Sequence, residues 1–258
     1  MDSRPVLSQP SRRMRIPLLL LLLQAPWLLA QTPAPVPDPE PLSRYRNQLP
    51  ALDAAIKIQP ESVALLSKRG DCHLFLGEFP EAVGDFEAMI RLDPSQDAPH
   101  WRLGIAYHFC GQWEKSARQF EKYHGYDGRD RENGIWKFLA DAKRLGLERA
   151  RAGMLVYEQF DREPFPSLYA MFAGKKTGAE VLEDLQKRGL TSQPTVAFFA
   201  HYYVGLNEEL LGNRERAREL LRKAASAFPN ESAAGSPGYM WLVARLHAKG
   251  LEAEAPKP

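Results

Sequence analysis

The sequence predicts an all-α protein built from stacked helical hairpins, a solenoid. Three observations lead to this fold class: a 34-residue period between residues 63 and 128, a third copy of the pattern near the C-terminus, and no stretch with the alternating polarity of a strand. The period is carried by paired positions, namely Gly70 and Gly104, Gly77 and Gly111, and Phe86 and Phe120. Several aligned positions at one spacing indicate structural units that stack on one another.

Each aligned residue type suits one place in a helix–turn–helix unit. Gly70 and its partner allow two helix backbones to approach closely, and Gly77 and its partner supply the left-handed conformation that ends a first helix. Phe86 projects from the second helix into the space between hairpins, and Pro94 stops that helix. The sequence therefore predicts helical hairpins at 63–94, 97–128 and 198–229.

This arrangement of glycine, alanine, aromatic and proline residues resembles the tetratricopeptide repeat (TPR), a hairpin of two helices. The resemblance implies a right-handed superhelix, which we expect to span residues 43–249. A half repeat at 43–59, with Pro50 at a break or helix start, would precede the clear repeats. Degenerate hairpins over Arg131–Gly189, including a helical stretch from Leu147 to Phe160, would fill the middle. A capping helix from Gly238 to Lys249 would close the stack and leave residues 250–258 as a loose tail.

The N-terminal 42 residues predict export rather than a folded domain. Residues 1–30 place arginines before an apolar run and end at the small residue Ala30, which is typical of a signal peptide. An uncleaved membrane anchor is the alternative, and translation from Met14 instead of Met1 would give a more typical signal. Residues 31–42 carry alternating prolines, which favour a stiff polyproline II spacer.

The order of elements resembles one family more narrowly, the NlpI-type TPR lipoproteins of bacterial envelopes. The resemblance runs from about Leu52 to Leu246 and rests on three segments, at 100–106, 135–140 and 167–174. It implies an adaptor in the periplasm or cell envelope that docks an envelope protease or a cell-wall hydrolase, often as a homodimer. The chain departs from the family because no lipid-bearing cysteine follows the apolar run.

The TPR resemblance also places a protein-binding groove on the first helix of each repeat. The candidate groove residues are Asp71, Phe75, Trp101, Ile105, His108, Phe109, Tyr202 and Glu209. This surface has many aromatic rings and few charges, which suits an apolar or extended peptide. It lacks the lysine and asparagine set with which some TPR proteins clamp a C-terminal carboxylate. For Trp101 and Tyr202 a place in the core is the alternative.

Charge and motif content argue against several other functions. The net charge of +2 would fall to about −1 without residues 1–30, so a nucleic-acid partner is not expected. The six histidines lack the ligand spacing of a zinc site, and no nucleotide-binding, nucleophile or other cofactor motif is present. We therefore expect a non-enzymatic scaffold that uses no metal or cofactor. A membrane-anchored assembly or chaperone factor and a hydrolase with a site in the middle hairpins are the alternatives.

Overall fold

The computed structural model describes residues 40–253, and over that range the backbone forms α-helices and no strands. The helices are α1 (Glu40–Ile58), α2 (Val63–Leu76), α3 (Phe79–Leu92), α4 (Trp101–Phe109), α5 (Trp113–Tyr126), α6 (Arg131–Leu145), α7 (Leu147–Ala152), α8 (Phe165–Phe172), α9 (Gly178–Lys187), α10 (Pro194–Leu210), α11 (Arg214–Ala225) and α12 (Tyr239–Ala253). Apart from α7 and α8, consecutive helices pack against one another, so the predicted all-α solenoid is confirmed. Between residues 40 and 253 no helix is both long and apolar enough to cross a bilayer. The predicted export signal and most of the proline-rich linker lie outside the described residues.

The three clear repeats form the hairpins α2–α3, α4–α5 and α10–α11. The first helix of each ends at a glycine with positive φ, namely Gly77 (81°), Gly111 (69°) and Gly212 (84°). This confirms that the turn needs a residue free to adopt the left-handed conformation.

Within a hairpin the two helices cross at a glycine that faces a buried ring. A Cβ atom built on Gly70 would lie 2.5 Å from Cε1 of Phe86, and one on Gly104 would lie 2.7 Å from Cζ of Phe120. Both rings are completely buried. Glycine is therefore required at these positions by the aromatic side chain on the second helix.

The last helix does more than cap the end of the stack, because it lies against the first helices of the repeats. Trp241, Val243 and Ala244 of α12 are completely buried. At the start of the same helix the ring of Tyr239 packs edge-on against Phe75 of α2, with ring centroids 4.6 Å apart. The C-terminal helix thus occupies the face that the sequence predicts to be an open groove.

Three expectations about helix boundaries are wrong. α1 runs through Pro50 without a break, because Leu49, Leu52 and Ile56 hold it against the core. The capping helix continues to Ala253 with Leu251 buried, so the tail is not loose over 250–253.

The predicted helix from Leu147 to Phe160 stops at Ala152, and an irregular segment leads to α8. Tertiary contacts explain the change. Tyr169 donates a hydrogen bond to the carbonyl oxygen of Leu155 (2.7 Å). The ring of Tyr157 lies over Gly134 of α6, where a Cβ atom would approach the phenol oxygen to 2.6 Å. These contacts draw the segment along the surface of α6.

Candidate protein-binding site

The structure divides the eight predicted groove residues into three groups. Phe75, Ile105 and Tyr202 have at most 5% of their surface exposed, so they belong to the core and do not form an open peptide surface. Asp71 and Trp101 are half-buried beneath α12. The last group, His108, Phe109 and Glu209, lines a cleft at the other end of α12.

The N-terminal end of α12 covers the part of the predicted groove that Asp71 and Trp101 form, and Tyr239 makes the contacts. The Tyr239 hydroxyl donates a hydrogen bond to Asp71 (3.1 Å), and its ring packs edge-on against Trp101 at 4.8 Å. Asp71 also accepts a hydrogen bond from Arg102 of α4 (2.6 Å). Burial raises the pKa of Asp71 despite these two partners. Tyr239 therefore covers one side of Trp101, a candidate groove residue that keeps part of its surface exposed.

A cleft of about 330 Å³ remains open at the C-terminal end of α12. Six helices and one turn contribute to its wall. The lining residues are Phe79, His108, Phe109, Gly111, Trp113, Leu139, Lys143, Leu206, Glu209, Leu210, Leu246, His247, Gly250 and Leu251. The volume is within the range typical of ligand pockets, about 300–1,000 Å³.

Aromatic rings form one side of this cleft. Phe79 and Phe109 stack with their centroids 4.7 Å apart and their planes 13° from parallel. The imidazole of His247 follows at 4.6 Å from Phe109. Trp113, at the first residue of α5, is 37% exposed and is therefore available to a partner. The cleft thus offers flat apolar surface of the kind that anchors binding energy in protein interfaces.

The polar groups of the cleft carry almost no net charge. Burial, with a smaller effect from Lys143, lowers the pKa of His108 to about 4 and holds that of His247 well below its usual value. Both imidazoles are therefore neutral at pH 7. Lys143 lies 3.6 Å from Glu209, so the two full charges at the site offset each other.

One imidazole has a satisfied nitrogen and the other does not. Nδ1 of His247 is hydrogen-bonded to the hydroxyl of Tyr202 at 2.7 Å. Nδ1 of His108 is buried beside the indole of Trp136 and has no hydrogen-bond partner. A buried polar atom without a partner is unfavourable for folding, by about 1–3 kcal/mol. The wall of the cleft is therefore not optimised for stability at this residue.

Sequence reasoning missed the α12 residues of the site, chiefly Leu246, His247 and Gly250. The signal was present, because α12 is apolar on nearly every side, and such a helix is buried by several neighbours rather than by one. Treating it only as a cap overlooked that requirement. Trp113 and Lys143 were missed because they lie outside the helix face that lines a groove in the TPR resemblance.

A second cluster of polar groups lies in the middle hairpins, where a catalytic site was the alternative. Glu132 accepts a hydrogen bond from Tyr203 (2.6 Å) and pairs with Arg162. Burial raises the pKa of Glu132 to about 7, against the opposing effect of Arg162. Arg162 also pairs with Asp130 and Asp161. Glu132 is buried, and this network holds the segment before α8 against α6 and α10.

No catalytic constellation accompanies that network. Three clefts lie at residues 79–251, 208–219 and 126–159, and none of these three includes Glu132 or a serine or cysteine nucleophile. Over residues 40–253 no group of three or more histidine, cysteine, aspartate or glutamate side chains is placed to hold a metal ion.

Comparison with known proteins gives similarity to TPR proteins at low identity. No model of a known protein family matches the chain. The chain is 24% identical over 155 residues to Hsp70-Hsp90 organizing protein 3 of Arabidopsis thaliana, covering 59% of this chain and 24% of that protein. It is 29% identical over 100 residues to small glutamine-rich tetratricopeptide repeat-containing protein 2 of Saccharomyces cerevisiae, covering 37% and 29%. Tetratricopeptide repeat protein 16 of Macaca fascicularis matches at 28% identity over 78 residues, covering 30% and 9%.

The matched part is therefore less than a third of the length of each of these relatives. The similarity supports a TPR protein that takes part in protein–protein interaction. The narrower resemblance to NlpI-type lipoproteins is not supported by these relatives.

Proposed function

We propose that this chain is an exported TPR adaptor that binds a segment of a partner polypeptide in the cleft between α12 and the repeat turns. The observation that carries the proposal is the cleft itself. Its wall is mostly apolar and it is open beside Trp113. Two of its helices, α4 and α10, are first helices of repeats, to which the repeat pattern assigns binding. The name of one relative, Hsp70-Hsp90 organizing protein 3, describes a protein that organises Hsp70 and Hsp90, which is the same kind of joining role.

The envelope part of the proposal rests on the sequence. The arginine-flanked apolar run in residues 1–30 favours export, and the resemblance to NlpI-type proteins favours an envelope protease or a cell-wall hydrolase as the partner. A membrane-anchored form with an uncleaved N-terminus would present the same cleft. The partner would meet the same folded surface in both cases.

Site-specific photo-crosslinking in living cells tests where the partner binds. A photoreactive phenylalanine derivative replaces Trp113 in one strain and Tyr126 in a matched strain. Both residues belong to α5, at its first and last positions, and Tyr126 is 64% exposed. They lie about 20 Å apart along the helix axis, at ~1.5 Å per residue. We expect a discrete crosslinked product from position 113 and none of the same mass from position 126.

Two outcomes would contradict the proposal. Failure to crosslink any protein at position 113 would remove the cleft as a partner site. Identical products from both positions would show that contact is not specific to the cleft. Identification of the crosslinked protein by mass spectrometry then tests whether the partner is an envelope protease or hydrolase.

A further inference from the structure

The C-terminal helix supplies a wall of the cleft. Leu246, His247, Gly250 and Leu251 of α12 line one side, and they face Phe109 of α4 and Glu209 of α10. Without α12 these two helices would border an open groove with no enclosed volume. The cleft is therefore a property of the whole folded chain, and no single repeat contains it.

The size of the cleft sets the amount of ligand that it accepts. Its volume of about 330 Å³ is roughly twice that of a cavity of ~150 Å³ that holds one benzene ring. Two bulky apolar side chains of one short peptide segment would fill it. The stacked rings of Phe79 and Phe109 give such side chains a flat surface to pack on.

The charges at the cleft disfavour an ionic ligand. Lys143 and Glu209 line the cleft together with His108 and His247, and at 3.6 Å from each other the two charges offset one another. A carboxylate that approached Lys143 would also approach Glu209, and an ammonium group that approached Glu209 would meet Lys143. The imidazoles add no compensating charge, because both are neutral at pH 7.

We infer that this cleft, with α12 as one wall, takes an uncharged segment of a partner polypeptide that inserts two bulky apolar side chains. The inference rests on the proposed function and names the chemistry of the partner. It excludes an acidic C-terminus as the recognised feature, since the one lysine of the cleft is already paired. It also makes α12 part of the recognition surface.

Gly250 is a position from which a larger side chain can extend into the cleft. A Cβ atom at this position meets nothing within 4 Å, and its φ is not in the left-handed range. Gly84 of α3 has the same properties and does not line the cleft. Because both glycines lie inside helices, replacement of either by phenylalanine should leave the melting temperature unchanged or slightly higher. The variants Gly250→Phe and Gly84→Phe therefore form a matched pair.

The binding experiment uses the full purified chain, labelled with ¹⁵N, and short peptides with acetylated and amidated ends. The amide signal of Gly111 in the cleft reports binding, and circular dichroism confirms that each variant is folded. The probe is a blocked Gly-Phe-Leu-Gly peptide, and its competitors replace phenylalanine by glutamate or lysine. We expect the uncharged peptide to bind at least tenfold more tightly than either charged one. Gly250→Phe should weaken binding at least tenfold, while Gly84→Phe should bind as the unsubstituted chain does.

Equal binding of charged and uncharged peptides would overturn the inference, as would unchanged binding by Gly250→Phe. If Gly250→Phe does not fold, Trp113→Ala is the second test, because it removes a partly exposed ring that lines the cleft. Trp113→Ala must then weaken the binding of the uncharged peptide at least tenfold. A crosslinked partner at position 113 together with no peptide preference would refute this inference alone. Absence of both the crosslink and peptide binding would also refute the proposed function.

Discussion

Replacement of Gly70 by alanine tests the packing rule that defines the repeats. In the structure a Cβ atom on Gly70 would lie 2.5 Å from Cε1 and 2.8 Å from Cδ1 of Phe86. Both distances are shorter than real contacts allow, so the ring or the helix must move by several tenths of an ångström. Phe86 is completely buried and has the ring of His100 at 4.9 Å, which restricts its movement. Gly70→Ala should therefore strain the crossing of α2 and α3.

Two opposing effects determine the size of the change in stability. Alanine in place of glycine in a helix interior favours folding by up to about 1 kcal/mol. Overpacking of a well-packed core costs typically about 1–3 kcal/mol. We expect a net loss of about 0.5–2 kcal/mol in the free energy of unfolding. Gly84→Ala, where a Cβ atom meets nothing within 4 Å, should instead gain about 0.5–1 kcal/mol.

The third repeat provides an internal comparison. A Cβ atom on Gly205 would lie 3.1 Å from Cδ2 of Leu221, and this flexible side chain can move away. Gly205→Ala should accordingly cost less than Gly70→Ala. In a Phe86→Leu background the first repeat acquires the same glycine–leucine pair, so the effect of Gly70→Ala should shift toward stabilisation.

Urea unfolding followed by the helical circular dichroism signal at 222 nm measures these differences as shifts of the midpoint. The slope of the transition must be compared as well, because repeat arrays can lose cooperativity between neighbouring units. An increase in stability of Gly70→Ala equal to that of Gly84→Ala would refute the reasoning. The close approach of Phe86 would then have no energetic consequence.

Three further predictions address pH, the covered end of the groove and export. Burial lowers the pKa of His100 and His108 from 6.5 to about 4. Because the unfolded chain binds more protons than the folded chain between these two pH values, the stability of the fold should decrease as the pH drops from about 6.5 to 4. The melting temperature measures this decrease. Burial raises the pKa of Glu132 to about 7 and acts in the opposite direction, so Glu132→Gln should steepen the loss on acidification. Tyr239→Phe removes the hydrogen bond to Asp71 and should cost about 1 kcal/mol in urea unfolding, and a cost of zero would show that this contact does not hold α12 in place. A reporter fused after residue 42 should leave the cytoplasm, and its retention in the cytoplasmic fraction would contradict export.

The sequence predicted the repeats because their determinants are close together along the chain. The need for positive φ at Gly77 and the contact between Gly70 and Phe86 both arise within one hairpin, 16 residues or fewer apart. Such short-range requirements leave a readable pattern at a fixed period. The end of α7 at Ala152 could not be read in this way, since it depends on Tyr169 and on Gly134 in other helices.

The candidate site was predicted only in part. His108, Phe109 and Glu209 line the cleft, whereas Phe75 is covered by the ring of Tyr239. Whether a residue on this helix face lines the cleft or is covered depends on the position of α12. Residues with either outcome lie on the same face of the first helix of their repeat. Local pattern cannot distinguish an exposed aromatic residue on that face from one that a distant helix covers.

The sequence by itself determined the helical hairpins, their turns and the small residues at their crossings. Only the tertiary structure decided that the groove is closed at one end and open as a cleft at the other. The decisive contact joins Tyr239 to Asp71 across 168 residues. Tyr239 begins the last helix and Asp71 lies in the first full repeat, so the contact forms only once the helices between them are stacked. That contact is a property of the assembled chain, so no single segment of the sequence records it.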